Sequence, residues 1–334
     1  MALTDIWFLL IAVLWIGYFV LEGFDFGVGL LLPVVGRTET DRRVVINTIG
    51  PVWDGNEVWL LVAGGAMFAA FPHWYASLFS GFYLALLLIL VALIVRGVAF
   101  EFRGKIDSVR WRRGWDAAIV FGSAVPALLW GVAFGNIVRG VPLDSKHNFT
   151  GDFFTLLNPY ALLGGLTTLL LFFTHGVVFV SLKTEGDLRE RARRLAARAG
   201  IITIVVAAAF LVWTGLAFGT LWFWILAAIA ALALIGGWLA NGRGAEGTAF
   251  TLLAVTVAAA VFALFASLFP DVMPASNDPA NSLTVANASS TTYTLTVMSW
   301  LALVALPLVL LYQGWTYWVF RKRVTRASIE ASAH

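Results

Sequence analysis

The sequence predicts an all-α, polytopic membrane protein, and three observations carry that reading. Of the 334 residues, 60% are hydrophobic and only 12% are charged, whereas a soluble domain has about 25% charged residues. The mean hydropathy is +0.87. Apolar runs of the roughly 20 residues needed to cross a bilayer recur along nearly the whole chain, separated by short polar connections. No connection is long enough for a soluble domain, so residues 1–334 read as a single transmembrane domain. Any catalysis then takes place within the membrane or on another chain.

Nine spans are expected, with the N-terminus outside and the C-terminus cytoplasmic. The first, about 6–33, follows no positively charged leader and is too long for a signal-peptide core, so it reads as a retained helix. The others fall at about 51–71, 75–100, 116–138, 156–182, 200–219, 221–241, 248–269 and 293–320. The split at Phe218-Gly219-Thr220 is supported by charge, because merging its two spans would put the basic tail on the wrong side. Under the positive-inside rule, all of the 22 basic residues except Arg139 and Lys146 collect on one side. The approximate halves 1–182 and 200–320, joined by a basic linker at 183–199, suit a duplicated bundle. Residues 270–292, rich in Asn, Ser, Thr, Pro and Ala, read as an outer cap.

Cysteine is absent, which excludes disulfides, iron–sulfur clusters and thiolate metal sites. The net charge of +3 is modest and sits in the loops, giving no reason to invoke nucleic acid. The basic run Arg189 to Arg198 reads as a positive-inside signal that also contacts anionic membrane lipid.

Only four of the 19 acids fall well inside spans: Glu22 and Asp25 on the first, Asp54 and Glu57 on the second. Each pair is spaced i, i+3 and so shares a helix face. With the first helix descending and the second climbing, a rise of about 1.5 Å per residue puts all four within roughly 5 to 17 Å of the inner surface. A charged carboxylate near the bilayer centre costs at least ~2.5 kcal/mol, so these groups face protein or water. One reading is a proton-uptake path from cytoplasmic water. The other is an ion-pair network with Arg96, on the third span at a similar depth, as the partner.

Glycines near these acids, Gly23, Gly27 and Gly29 on the first span and Gly55, Gly64 and Gly65 on the second, read as sites of close helix approach. Trp53 and Trp59 flank the second acidic pair and read first as packing. Of the histidines only His175 lies at intramembrane depth, with His73, His147 and His334 outside. Among Met1, Met67, Met273 and Met298, only Met67 lies inside a span. No haem-ligand pair and no metal site emerges, and His175 reads as an interhelical hydrogen-bonding residue.

Several long motifs in order carry a family resemblance. They include Glu22-Gly-Phe-Asp25-Phe-Gly-Val-Gly29, Arg42-Arg43 with Ile46-Asn47, and Trp53-Asp54-Gly-Asn56-Glu-Val-Trp59. Phe79-Ser-Gly-Phe-Tyr83, Phe100-Glu-Phe-Arg103, Gly131-Val-Ala-Phe-Gly-Asn136, Leu157-Asn-Pro159 and Leu295-Thr-Val-Met-Ser-Trp300 extend the match nearly end to end. The chain resembles subunit II of the cytochrome bd-type quinol oxidases, terminal oxidases of bacterial respiratory chains.

The resemblance implies two four-helix bundles plus one peripheral helix in the bacterial cytoplasmic membrane. It implies pairing with subunit I, which holds haems b and d and the quinol-oxidising loop, and it leaves room for a small single-helix third subunit. The complex would take four electrons from two quinols, release their protons outside, and draw protons for water formation from the cytoplasm. Subunit II would itself be haem-free and supply a proton route, oxygen access and, in some members, a tightly held quinone. Asp54 matches the family's proton-channel aspartate, Asp25 a deeper acid, and Trp59 a residue at the oxygen-tunnel entrance. A proton-coupled secondary transporter is the rival reading, although the second half holds no acid between Ile201 and Phe269 except Glu246.

Overall fold

A computed structural model describes residues 2–331, so Met1 and His334 lie outside the described residues. In chain order the helices are α1 (Leu3–Val35), α2 (Glu39–Ile49), α3 (Trp53–Ala70), α4 (Pro72–Gly81), α5 (Tyr83–Phe102), α6 (Val109–Arg139), α7 (Pro159–Lys183), α8 (Gly186–Phe218), α9 (Leu221–Gly242), α10 (Glu246–Leu268), α11 (Thr292–Val319) and α12 (Arg326–Ala331). The strands β1 (Asp271–Met273) and β2 (Leu283–Thr284) pair antiparallel. Among the described residues eight helices, α1 and α5 to α11, are long and apolar enough to cross a membrane. The remaining expected span is α3, with 18 residues, whose opening turns carry Asp54, Asn56 and Glu57 and dilute its apolar character.

Local chemistry sets several helix starts. The hydroxyls of Thr38, Ser108, Thr220 and Thr291 and the side-chain carbonyl of Asn158 each accept from a backbone N–H in the first turn of α2, α6, α9, α11 and α7 respectively. Such caps satisfy donors that a helix leaves unpaired at its start. Pro159 follows Asn158 at the first helical position, where a missing N–H costs nothing.

Three element expectations are corrected. The span at 75–100 is two helices, α4 and α5, broken at Phe82. The stretch 183–199 is mostly helical, because α8 begins at Gly186 and its basic residues form its first turns. The loop after α1 contains α2, which a search for apolar runs misses because the helix is amphipathic and polar overall.

At the core, α1 packs against α3, α6, α7 and α10. Its crossing with α7 is close: a Cβ on Gly27 would lie 2.8 Å from the Cα of Gly176. Further toward the start of α1, Trp15, Phe19, Trp130, Phe134 and Phe172 form an edge-to-face and stacked aromatic cluster, with Trp15 and Trp130 4.9 Å apart between centroids. Such pairs add to the burial of their large apolar surfaces. By contrast, only 6% of the most apolar window of α11 is buried, and this helix lies along α1 and α3.

The two ends of the bundle differ in chemistry. At one, basic loops meet acids: Arg103 pairs with Glu39 at 2.7 Å and Asp116 at 2.6 Å, Arg42 with Asp116 at 3.0 Å, and Arg189 with Glu246 at 2.7 Å. Buried Asp41 receives Arg191 and Arg326, each at 2.7 Å, which ties α12 to α2 and α8. Lys183 donates to the carbonyls of Phe320 and Lys322, fixing the segment that leads into α12. At the opposite end the α6–α7 and α10–α11 connections lock together, with Asn277 and Asn281 both donating to the Leu143 carbonyl at 2.9 Å.

Candidate functional site

The apolar face of α1 cannot hydrogen-bond Glu22 and Asp25, so the partners of both acids come from other helices. Arg96 of α5 is fully buried and donates to Glu22, also buried. The same guanidinium lies 3.6 Å from Glu57 of α3, whose side chain is a quarter exposed. It also lies 4.8 Å from the Phe26 ring centroid and 5.8 Å from that of Phe100, so aromatic faces close the remainder of its shell.

Asp25, buried one turn further along α1, accepts a 2.7 Å hydrogen bond from the Asn56 amide of α3. The Asn56 carbonyl oxygen in turn accepts from Gln313 at 2.9 Å and from the Tyr317 hydroxyl at 2.8 Å. Gln313 takes a further bond from the Trp59 indole at 3.2 Å. A polar layer thus runs from α1 through α3 to α11, inside otherwise apolar helices.

Asp54 stands apart from this layer. It is exposed in the first turn of α3, at the basic end, with its carboxylate accepting from the Gly55 N–H at 2.8 Å. Along α3 the acids therefore pass from exposed Asp54 to half-buried Glu57, and thence to Arg96 and fully buried Glu22 and Asp25. Glu22, Asp25 and Glu57 with one arginine carry more potential negative than positive charge. In a low-dielectric site that excess must be neutralised by protons or by a cation from outside the chain.

The other expected residues divide. Trp59 is buried, with its ring packed against Gly17 of α1. Gly23, Gly27 and Gly29 make tight contacts on α1, but a Cβ at Gly55, Gly64 or Gly65 would meet nothing within 4 Å. The α3 glycines therefore face open space on this chain, which corrects the close-packing reading for them. Gly64 and Gly65 border an apolar cleft of about 440 Å³ between α3 and the α4–α5 pair.

His175 is also corrected. Its ring stacks on Phe250 at 4.7 Å and meets Phe24 edge-on at 5.7 Å, and among the described residues neither nitrogen has a hydrogen-bond partner. It packs as an aromatic ring, not as an interhelical hydrogen bonder. No group of three or more His, Cys, Asp or Glu among the described residues is arranged to hold a metal ion.

Sequence reading missed Asn56, Gln313 and Tyr317 as members of the site. A signal was available for Gln313, the only glutamine in the chain and an amide within an apolar span. Such a side chain needs a polar partner.

The cytochrome bd terminal oxidase subunit II family profile matches residues 3–320. The chain is 46% identical to the cytochrome bd ubiquinol oxidase subunit 2 of Bacillus subtilis (strain 168), over 97% of both chains. It is 38% identical to the cytochrome bd-I ubiquinol oxidase subunit 2 of Escherichia coli (strain K12), over 99% of this chain and 98% of that one. A chain in the structure of the bd oxidase from Geobacillus thermodenitrificans superposes with a TM-score of 0.78 at 19% identity, covering 96% of this chain and all of that one, a likeness of fold. With its eight span-length helices, this is a multi-pass protein of the bacterial inner membrane. The chain belongs to the cytochrome bd terminal oxidase subunit II family.

Proposed function

We propose that this chain is the haem-free subunit of a quinol:oxygen oxidoreductase, active only with a haem-bearing subunit I, and that it conducts protons inward from the cytoplasm. One observation carries the proposal. Four carboxyl groups on α1 and α3 grade from exposed to fully buried, and two of them, Glu22 and Glu57, meet one guanidinium. A purely structural network would match charges more closely, because each unpaired buried charge costs several kcal/mol. In this reading Asp54 collects protons, Glu57 passes them inward, and Glu22 and Asp25 hold them beside Arg96. Asn56 orients the Asp25 carboxyl.

Haem chemistry belongs to the partner in this reading. The aromatic packing of His175 and the absence of cysteine support it, since they leave this chain poor in axial ligands. Quinol oxidation and oxygen reduction would supply the driving force, and this chain's part is to deliver protons from one side only. The crowding of acids and arginines at a single end supports a cytoplasmic C-terminus and, with α3 counted, nine spans. Helices α3, α5 and α11 then form the face for subunit I, because α11 is largely exposed and the α3 glycines open outward. Two four-helix bundles with α11 as the peripheral helix are what the resemblance implies for such a face.

Oxygen access past Trp59 and a bound quinone are carried by the resemblance. For a quinone, the cleft between α3 and the α4–α5 pair has an apolar lining with Tyr75 and Tyr83 at its edge, which fits a ring and the start of an isoprenoid tail. The transporter reading is disfavoured by the second half, where Glu246 is spent on Arg189 at the basic end.

Co-purification through a tag on this chain, followed by visible spectra of the dithionite-reduced sample, tests the proposal. A co-eluting larger chain with haem b and d bands is the expected result. A colourless, stable, solitary protein would overturn it.

A further inference from the structure

A cavity of about 130 Å³ lies between α7, α8, α9 and α10, away from the acids on α1 and α3. Its wall on α8, α9 and α10 combines aliphatic residues such as Leu211, Leu234 and Val261 with small ones, Ala207 and Ala208 on α8, Ala230 and Ala231 on α9, and Ala260 on α10. The inner wall is the aromatic cluster, through Phe19, Trp130 and Phe134.

Its polar atoms are already engaged. Thr167 donates its hydroxyl to the Leu163 carbonyl at 2.8 Å, Thr168 to that of Ala127 at 2.6 Å and Thr256 to that of Leu252 at 2.9 Å. No hydroxyl hydrogen remains to point inward. A buried water needs two to four polar partners, and an apolar cavity of ~150 Å³ stays dry yet takes up benzene or xenon. This cavity is of the same kind.

The helices also provide an entrance. At one end α8 and α9 are pinned where a Cβ on Gly200 would lie 2.6 Å from the Trp238 ring, whose indole donates to the Ala197 carbonyl at 2.9 Å. At the other end Gly215 lies directly against the Trp224 ring. Between the two pins Ala207, Ala208, Ala230 and Ala231 line the cavity beside Ile204, Leu211, Leu234 and Ile235, and the exposure of Ala208 and Ile235 brings that lining to the side of the bundle. A lateral mouth on a membrane helix pair opens on hydrocarbon, where nonpolar gases are concentrated and ions are excluded.

We propose that this cavity is a binding site for a small nonpolar gas, entered from the bilayer between α8 and α9. That dioxygen is the natural guest rests on the oxidase reading; that the site takes a nonpolar gas does not. Trp130 also borders the cleft between α3 and the α4–α5 pair, so one indole separates the two apolar spaces. Its N–H, bonded to the Tyr18 hydroxyl at 3.2 Å, fixes the ring in that wall.

The test is xenon pressurisation of the purified complex, with xenon located in an experimental density map. A xenon peak among Ala207, Ala230 and Ala260 is expected. It should be lost in Ala230→Leu and in Ala260→Leu, with the map otherwise unchanged. A cavity that stays empty while other apolar sites in the same sample fill, or one holding ordered water or a lipid acyl chain, would overturn the proposal. Xenon occupancy is read on the wild-type protein without turnover. Failure of the oxidase reading would therefore leave this result standing, and failure here would leave the oxidase reading untouched.

Discussion

Asn56 donates to the buried carboxylate of Asp25 at 2.7 Å while its own carbonyl holds Gln313 and Tyr317 of α11, so one side chain joins an interior acid to the most exposed helix of the protein. Replacing it removes these three hydrogen bonds and a longer fourth, to the Leu21 carbonyl at 3.5 Å. Asn56→Ala should destabilise the protein by about 1–3 kcal/mol for each buried group left unsatisfied. Thermal unfolding in detergent should show the loss, with α11 the first segment to gain hydrogen exchange.

Asp54 is exposed, and among the described residues its side chain bonds only the neighbouring Gly55 N–H, so its removal should spare the fold. Asp54→Asn is expected to slow quinol oxidase turnover at least roughly tenfold, one to two kcal/mol of barrier, with subunit ratio and haem spectrum unchanged. Full turnover in this variant would remove the proton-uptake role.

Arg96 is a buried cation facing Glu22 and Glu57. Arg96→Met strands carboxyl groups in the interior and should cost about 3–5 kcal/mol or prevent assembly, as breaking a buried pair does. The double variant Glu22→Gln, Arg96→Met should recover much of that loss. A double variant no more stable than Arg96→Met alone would show that the pair is not coupled.

Asp41 governs the attachment of α12. Burial alone would raise its pKa, but hydrogen bonds from Arg191 and Arg326 outweigh burial and hold it below its ordinary value of 3.8. A group with a depressed folded pKa contributes stability above its unfolded pKa and loses it as pH falls through the folded value. The clasp should therefore be at full strength at neutral pH and weaken only below about pH 4. Asp41→Asn should loosen it at all pH values, read as faster tryptic cleavage in residues 321–326.

His175 is held by ring packing. His175→Phe should keep the stacking on Phe250 and leave the haem bands of the complex in place. Loss of a haem band would instead assign the imidazole to a ligand role.

Much of this protein is written in local sequence. A bilayer span is a matter of about 20 apolar residues in a row, so the long helices and the acids of α1 and α3 were legible from the chain. Even there, α2 escaped because its amphipathic turns are polar on average, and Phe82 broke a run whose hydropathy gives no sign of it. The tertiary structure alone decided which side chains meet. Gln313 and Tyr317 reach Asn56 from 257 and 261 residues away, and Arg96 meets Glu22 across 74. It also turned the α3 glycines toward open space and set His175 among phenylalanines. Hydropathy is summed over neighbours in sequence, but hydrogen bonds and packing act between neighbours in space. A helix pattern constrains the faces available without naming the face that another helix will cover.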